Sequence, residues 1–197
     1  MSSPTKIGIV ILAAGSSSRM GKPKQLLEFD GTTLLRHSTI EAANSKAENV
    51  ITVLGAHADQ IENEIDGDIV NIVKNENWDE GMASSVRLGL NTLLKQTPSI
   101  DAAIFMVCDQ PYVSSTVLNE LISTYKKTGK SIVACNYGEA IGPPALFHKS
   151  LFNELMQLKG DAGARKIIQE HSNEMATILF THGKIDIDTK EDYDALT

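Results

Sequence analysis

The sequence predicts a three-layer α/β domain on a mostly parallel sheet, and three observations lead there. Apolar, β-rich runs recur along the 197 residues with helix-like patterns between most of them. Such alternation puts helices on both faces of a parallel sheet. The first run, residues 7–12, is short, β-branched and bounded by Gly15, as a buried parallel strand is. Another, residues 102–107, ends at Cys108-Asp109-Gln110-Pro111, where proline stops the strand.

The remaining elements follow in order. Further strands are expected at residues 50–54, 69–73, 132–134 and 177–180. Leu34, Leu35, Ser38 and Ala42 make one helical stripe, and Ile61 with Ile65 a second. Val86, Leu90, Leu93 and Leu94 make a third, and Val117, Leu118, Leu121, Ile122 and Tyr125 a fourth. Two more helices are expected over 150–158 and 162–171, broken at Gly160-Asp161. Gly142-Pro143-Pro144 reads first as a turn. The stretch 141–147 is expected at the surface, as a lid over a second substrate or as a partner site. No Pro- or Ser-rich linker divides the chain, so residues 1–197 are expected to form one domain, with 1–5 flexible.

Bulk charge narrows the function. A net charge of −7 argues against binding nucleic acid or an anionic membrane surface. Cys108 and Cys135 are too few for a disulfide framework, lack metal-site spacing and end apolar runs, where buried free thiols are common. The first apolar run is too short to span a membrane and has no cleavage-site pattern, so cytoplasm is the expected compartment.

Against that negative background stands a local cationic island. Leu12, Ala13, Ala14 and Gly15 lead from the first strand into a loop of serines, followed by Arg19, Lys22 and Lys24. Ligands of open α/β sheets bind where such loops leave the carboxyl ends of strands. Bare backbone N–H groups with nearby cations suit a polyanion such as a triphosphate. Five residues separate Gly15 from Gly21, and Pro23 follows Lys22, so this is not a P-loop. The G-x-G-x-x-G fingerprint is absent too, which removes the main support for hydride chemistry.

Asp109 ends its strand on the same sheet edge, where the Mg²⁺ of a triphosphate needs an oxygen ligand. A turn or a helix N-cap explains that aspartate equally well. Asp186 and Asp188 are spaced to share one side of an extended segment, and one of them can join Asp109 around a cation. Asp188 or Thr189 also suits the cap of a short terminal helix. Gly81 and Ser85 open a helix whose N–H groups can meet an anion or a base edge, or be served by a simple serine cap. Arg165 at a helix start opposes the helix dipole, a placement that fits an anionic second substrate. His57, His148, His171 and His182 show no paired spacing.

From Val10 to Tyr193 the chain resembles the nucleotidyltransferases that include molybdenum cofactor cytidylyltransferase and the related guanylyltransferase. L-A-A-G-x-S-x-R-M-G-x-x-K matches at 12–24, S-V-x-x-G-L at 85–90 and C-D-Q-P at 108–111. G-D-x-G-A-R at 160–165 and D-I-D-T-x-E-D-Y at 186–193 are similar to the cytidylyltransferase branch, as are Ala14 and Pro23-Lys24-Gln25. Lys190 stands where that branch often has proline. The resemblance implies a Rossmann-like sheet of the nucleotide-diphospho-sugar transferase type. It implies Mg²⁺-dependent transfer of CMP from CTP to the terminal phosphate of a molybdopterin-type cofactor, with pyrophosphate released.

The resemblance also implies residue roles. Leu12, Ala13, Ala14, Gly15, Gly81 and Ser85 would bind the nucleotide, with Arg19 and Lys24 neutralising phosphate charge. Asp109 would hold Mg²⁺ with Asp188, Asp186 standing in reserve. Arg165, Gly142 and Asp161 would face the acceptor, and the product would pass to a molybdenum hydroxylase apoenzyme or its chaperone. The alternatives are a guanylyltransferase, a transferase for another small phosphate or sugar phosphate, and a non-catalytic nucleotide- or cofactor-binding accessory protein.

Overall fold

The β-branched run near the start forms β1 (Ile7–Ala13) at the middle of the parallel half of the sheet. The computed structural model describes residues 4–196 apart from Asp66 and Asp68, so residues 1–3 of the expected flexible end lie outside it. After β1, a small hairpin of β2 (Glu28–Phe29) and β3 (Thr32–Thr33) leads into the next layer. On one side β1 pairs with β4 (Asn49–Leu54), which pairs with β5 (Asn71–Lys74). On the other it pairs with β6 (Ala102–Val107), and all three ladders are parallel. Ile9, Val10 and Ile11 are fully buried, as a strand covered on both faces requires. The expected strand at 69–73 starts later, at Asn71, and leaves Ile69 half exposed.

The far half of the sheet corrects one expectation. β6 pairs antiparallel with β8 (Ile141–His148), which pairs antiparallel with β7 (Ile132–Asn136), and β7 carries β9 (Met175–Leu179) parallel at the edge. The order is β5-β4-β1-β6-β8-β7-β9. Residues 141–147 are therefore an interior strand and not a surface lid, with Ala145, Leu146 and Phe147 buried. Gly142-Pro143-Pro144 lies inside that strand and makes no turn. The ladder admits two prolines because its register shifts: Ala134 pairs with Ala145, but Cys135 pairs with Gly142. Pro143 and Pro144 sit in the resulting bulge, where no ladder N–H is required of them.

Helices cover both faces. α1 (Leu34–Ala43), capped by Thr33, and α4 (Ser115–Thr128), capped by Ser114, pack Leu35, Leu118 and Leu121 against Ile9, Ile11 and Ile104. The Ile61–Ile65 stripe is shorter than expected. α2 (Ala58–Ile61) is a single turn continued by a 3-10 turn. On the opposite face α3 (Met82–Gln96), α5 (Phe152–Met156) and α6 (Ala164–Glu170) bury Val86, Leu90, Leu155 and Ile168 against Val10, Phe105 and Phe147. α3 crosses β1 and β4 so closely that a Cβ on Gly89 would come within 2.4 Å of Val10. α7 (Lys190–Asp194) closes the described chain, with Thr189 and Asp192 forming its capping box.

This topology decides where a ligand goes. The chain leaves β1 for β4 on one side and later crosses back to β6 on the other. Loops from the carboxyl ends of β1 and β6 therefore diverge and leave a crevice between them, the ligand position of open α/β sheets. Gly15 and Asp109 follow those two ends.

Candidate active site

The loop after β1 is held from beneath by a residue that sequence reasoning passed over. Gln25, 1 % exposed, lies in a 3-10 turn over Lys24–Leu26. Its amide nitrogen donates to the carbonyls of Ala13 at 2.9 Å and Gly15 at 3.1 Å. Its oxygen accepts from the Ser17 hydroxyl at 3.3 Å, and the same Ser17 oxygen accepts the Lys24 N–H at 3.0 Å. An amide that fixes two carbonyls also fixes the direction of the intervening N–H groups, the donors an anion would use. Gln25 sits in a short polar turn, and its long-range bonds leave no spacing signal.

Across the crevice Lys24 meets two aspartates. Its Nζ donates to Asp109 Oδ2 at 2.5 Å and to Asp188 Oδ1 at 3.0 Å. Burial opposes the ammonium charge, but the Asp109 charge and the hydrogen bonds that the ammonium donates to Asp109 and Asp188 outweigh it, holding Lys24 well above the ordinary lysine range. Asp109 Oδ1 is closed to solvent and has no hydrogen-bond partner among the described residues. Arg19 stands at the rim, its side chain 74 % exposed and 3.9 Å from Asp188. Desolvation together with the Asp109 charge raises the pKa of Asp186. Beside Asp109, burial pushes the Cys108 thiol up to about 12.

The acid-bearing tail is fastened to the sheet. The Ile187 N–H donates to the Asp109 carbonyl at 3.0 Å. Buried Gln110 donates to the Gly183 carbonyl at 2.7 Å and the Tyr137 hydroxyl at 3.1 Å, and that hydroxyl donates to the Pro143 carbonyl. Gln110 and Tyr137 thus tie β7, β8 and the tail together, a role hidden in the sequence because Gln110 reaches a backbone carbonyl 73 residues away.

Two clefts meet at this point. One, of about 370 Å³, is walled by Leu12, Ala13, Ala14, Gly15, Lys24, Gly81, Ser85 and Asp109. The other, of about 510 Å³, runs from Asp109 past Gly142 and Arg165 to Lys184 and Asp186. Asp161 lines both. Neither serine caps α3: its N-cap is Gly81, and Ser84 and Ser85 instead accept hydrogen bonds from buried Asn75 at 2.8 and 2.9 Å. Asp109 is not a helix cap either, since Ser114 caps the following helix. Of the expected site residues, Arg19, Lys22 and Asp188 line neither cleft; Asp188 pairs with Lys24, and Arg19 lies 3.9 Å from Asp188.

A crevice at the reversal of a parallel sheet, with a cation and acids across it, is the ligand site of the open-sheet class of α/β proteins. Within that class, the chain belongs to the MobA-like NTP transferase domain family, a nucleotidyltransferase family whose model matches residues 9–175. It is similar to purine catabolism protein PucB of Bacillus subtilis, 29 % identical over 98 % of this chain and 97 % of that one. Nicotine blue oxidoreductase of Paenarthrobacter nicotinovorans is 28 % identical over 82 % of this chain and 80 % of its own length. Rv0371c of Mycobacterium tuberculosis superposes with a TM-score of 0.86 at 30 % identity, covering 99 % of this chain and 98 % of that one. Its complex with manganese superposes at 0.81 with 28 % identity, covering 98 % of each chain.

Proposed function

We propose that the chain transfers CMP from CTP to the terminal phosphate of a molybdopterin-type cofactor, releasing pyrophosphate. The observation that carries this is Lys24 between Asp109 and Asp188, in the crevice beside the Gly15 loop. A triphosphate needs that combination of cation, carboxylates and backbone donors.

Leu12 and the backbone of Ala13, Ala14 and Gly15 take the nucleotide, with Gly81 and Ser85 forming the opposite wall. Lys24 neutralises charge developing at the α-phosphate and on the departing pyrophosphate, and Arg19 assists from the rim. Asp161, Gly142 and Arg165 receive the acceptor in the adjoining cleft. A phosphate monoester, with a second pKa of about 6, is already largely anionic at neutral pH and needs no strong base. Catalysis therefore rests on orientation and charge neutralisation.

Carboxylate oxygens suit a hard divalent cation, and the unpartnered Asp109 Oδ1 has bonding capacity to spare. Asp109 and Asp188 would hold Mg²⁺, which when bound stabilises charge on the phosphate oxygens. The manganese complex of the Rv0371c relative supports a divalent requirement. The relative named as an oxidoreductase does not shift the reading toward hydride transfer, because this chain lacks the dinucleotide fingerprint.

The product would pass to a molybdenum hydroxylase apoenzyme or its chaperone in the cytoplasm. No helix among the described residues is long and apolar enough to cross a membrane. Pyrophosphate release with Mg²⁺ and CTP, GTP, ATP or UTP, with and without molybdenum cofactor, tests the reading. Release confined to CTP plus cofactor is expected. Release with GTP instead moves the chain to the guanylyltransferase branch, and CTP binding without release leaves an accessory protein.

A further inference from the structure

Backbone contacts pin the segments that carry the two aspartates, whereas the lysine between them reaches the pair on a long stem. Asp109 ends β6 in the sheet, while the tail carrying Asp188 is pinned by the Ile187 N–H, by Gln110 on Gly183 and by the capping box that follows. Lys24 ends in a flexible four-carbon stem with a compact charge. Its ammonium is 2.5 Å from Asp109 Oδ2 and 3.0 Å from Asp188 Oδ1. The other Asp109 oxygen is shut off from solvent. A cation approaching Asp109 therefore meets the ammonium first, and two cations cannot share these carboxylates at such range without strong repulsion.

We propose that Lys24 occupies the cation position between Asp109 and Asp188 and vacates it only when a triphosphate arrives, so that metal and nucleotide load together. This rests on the reading of Asp109 and Asp188 as metal ligands. The lysine has a destination, since Lys24 and the Gly15 loop that would seat a phosphate line the same cleft. Apo protein is thereby protected from filling its site with free metal, and the lysine that leaves one pair of anions neutralises another.

The experiment measures Mn²⁺ affinity without nucleotide, by the electron paramagnetic resonance signal of free Mn²⁺. It compares wild type with Lys24→Met and Lys24→Gln, each shown to be folded by circular dichroism. Glutamine keeps an N–H for Asp109 without the charge, so it serves if methionine leaves the carboxylate too exposed to fold. Both neutral variants are expected to bind Mn²⁺ at least about tenfold more tightly than wild type, and Lys24→Arg to remain as weak as wild type. Equal or weaker binding in the folded neutral variants overturns the exchange, as does tight binding by Lys24→Arg. Adding Asp109→Asn to Lys24→Gln should abolish the gained affinity. If the tight binding survives that change, the metal reading itself fails.

Discussion

Gly81 and Gly160 touch so closely that no side chain fits between them. A Cβ on Gly81 would fall 2.5 Å from the Gly160 carbonyl and 2.6 Å from Asp161 Oδ1. The Gly160 carbonyl accepts the Ala83 N–H at 3.0 Å, joining the start of α3 to the loop before α6. Gly81 also has φ of +96°, a region that L side chains rarely adopt. This seam is where the two clefts meet.

Gly81→Ala should therefore act on both. Backbone strain of this kind costs about 1–3 kcal/mol, so the melting temperature should fall. KM should rise for nucleotide and acceptor together. Thermal melts and steady-state kinetics with each substrate varied in turn check the expectation, and a rise for one substrate alone would show that the clefts are independent.

Gln25→Leu is expected to loosen the loop without removing any cation. It strips hydrogen bonds from the carbonyls of Ala13 and Gly15, and each buried group left unpaired costs about 1–3 kcal/mol. Nucleotide affinity should fall more than stability alone explains, because the N–H groups lose their fixed direction. Calorimetric titration with CTP on the folded variant measures this.

Acid stability should depend on Asp101, at the amino end of β6 and away from the crevice. The Lys149 side chain and the Lys6 N–H donate to its carboxylate and hold its pKa below 3.8. The folded value is the lower one, so the stabilisation is present above the unfolded pKa and is lost as pH falls through the folded value. Melting temperatures of wild type and Asp101→Asn should converge as pH falls from about 5 through the lowered folded value. The gap is expected to be modest, because the pair is partly solvated.

Elements with a single strong physical signature were legible in the sequence. The β-branched run of β1 and the stop at Pro111 after β6 gave both walls of the crevice, and Leu12 to Gly15 with Lys24 and Asp109 gave its lining. β8 was misread because Gly142-Pro143-Pro144 carries turn chemistry, and only the register shift opposite Cys135 makes room for it in a sheet. Gln25, Gln110 and Tyr137 escaped because they act on backbone carbonyls, which no side-chain pattern announces. Arg19 is expected to act with Lys24 but stands at the rim, exposed and 3.9 Å from Asp188.

The most direct test follows the α-phosphorus. Wild-type protein and Asp109→Asn, both folded, are given α-³²P-labelled CTP, Mg²⁺ and molybdenum cofactor, and the label is traced. Transfer of label to the pterin phosphate by wild type, slowed on the order of 10²–10³-fold by Asp109→Asn, is the predicted result. Label that stays with the nucleotide in wild type, or an undiminished rate in Asp109→Asn, would contradict the account.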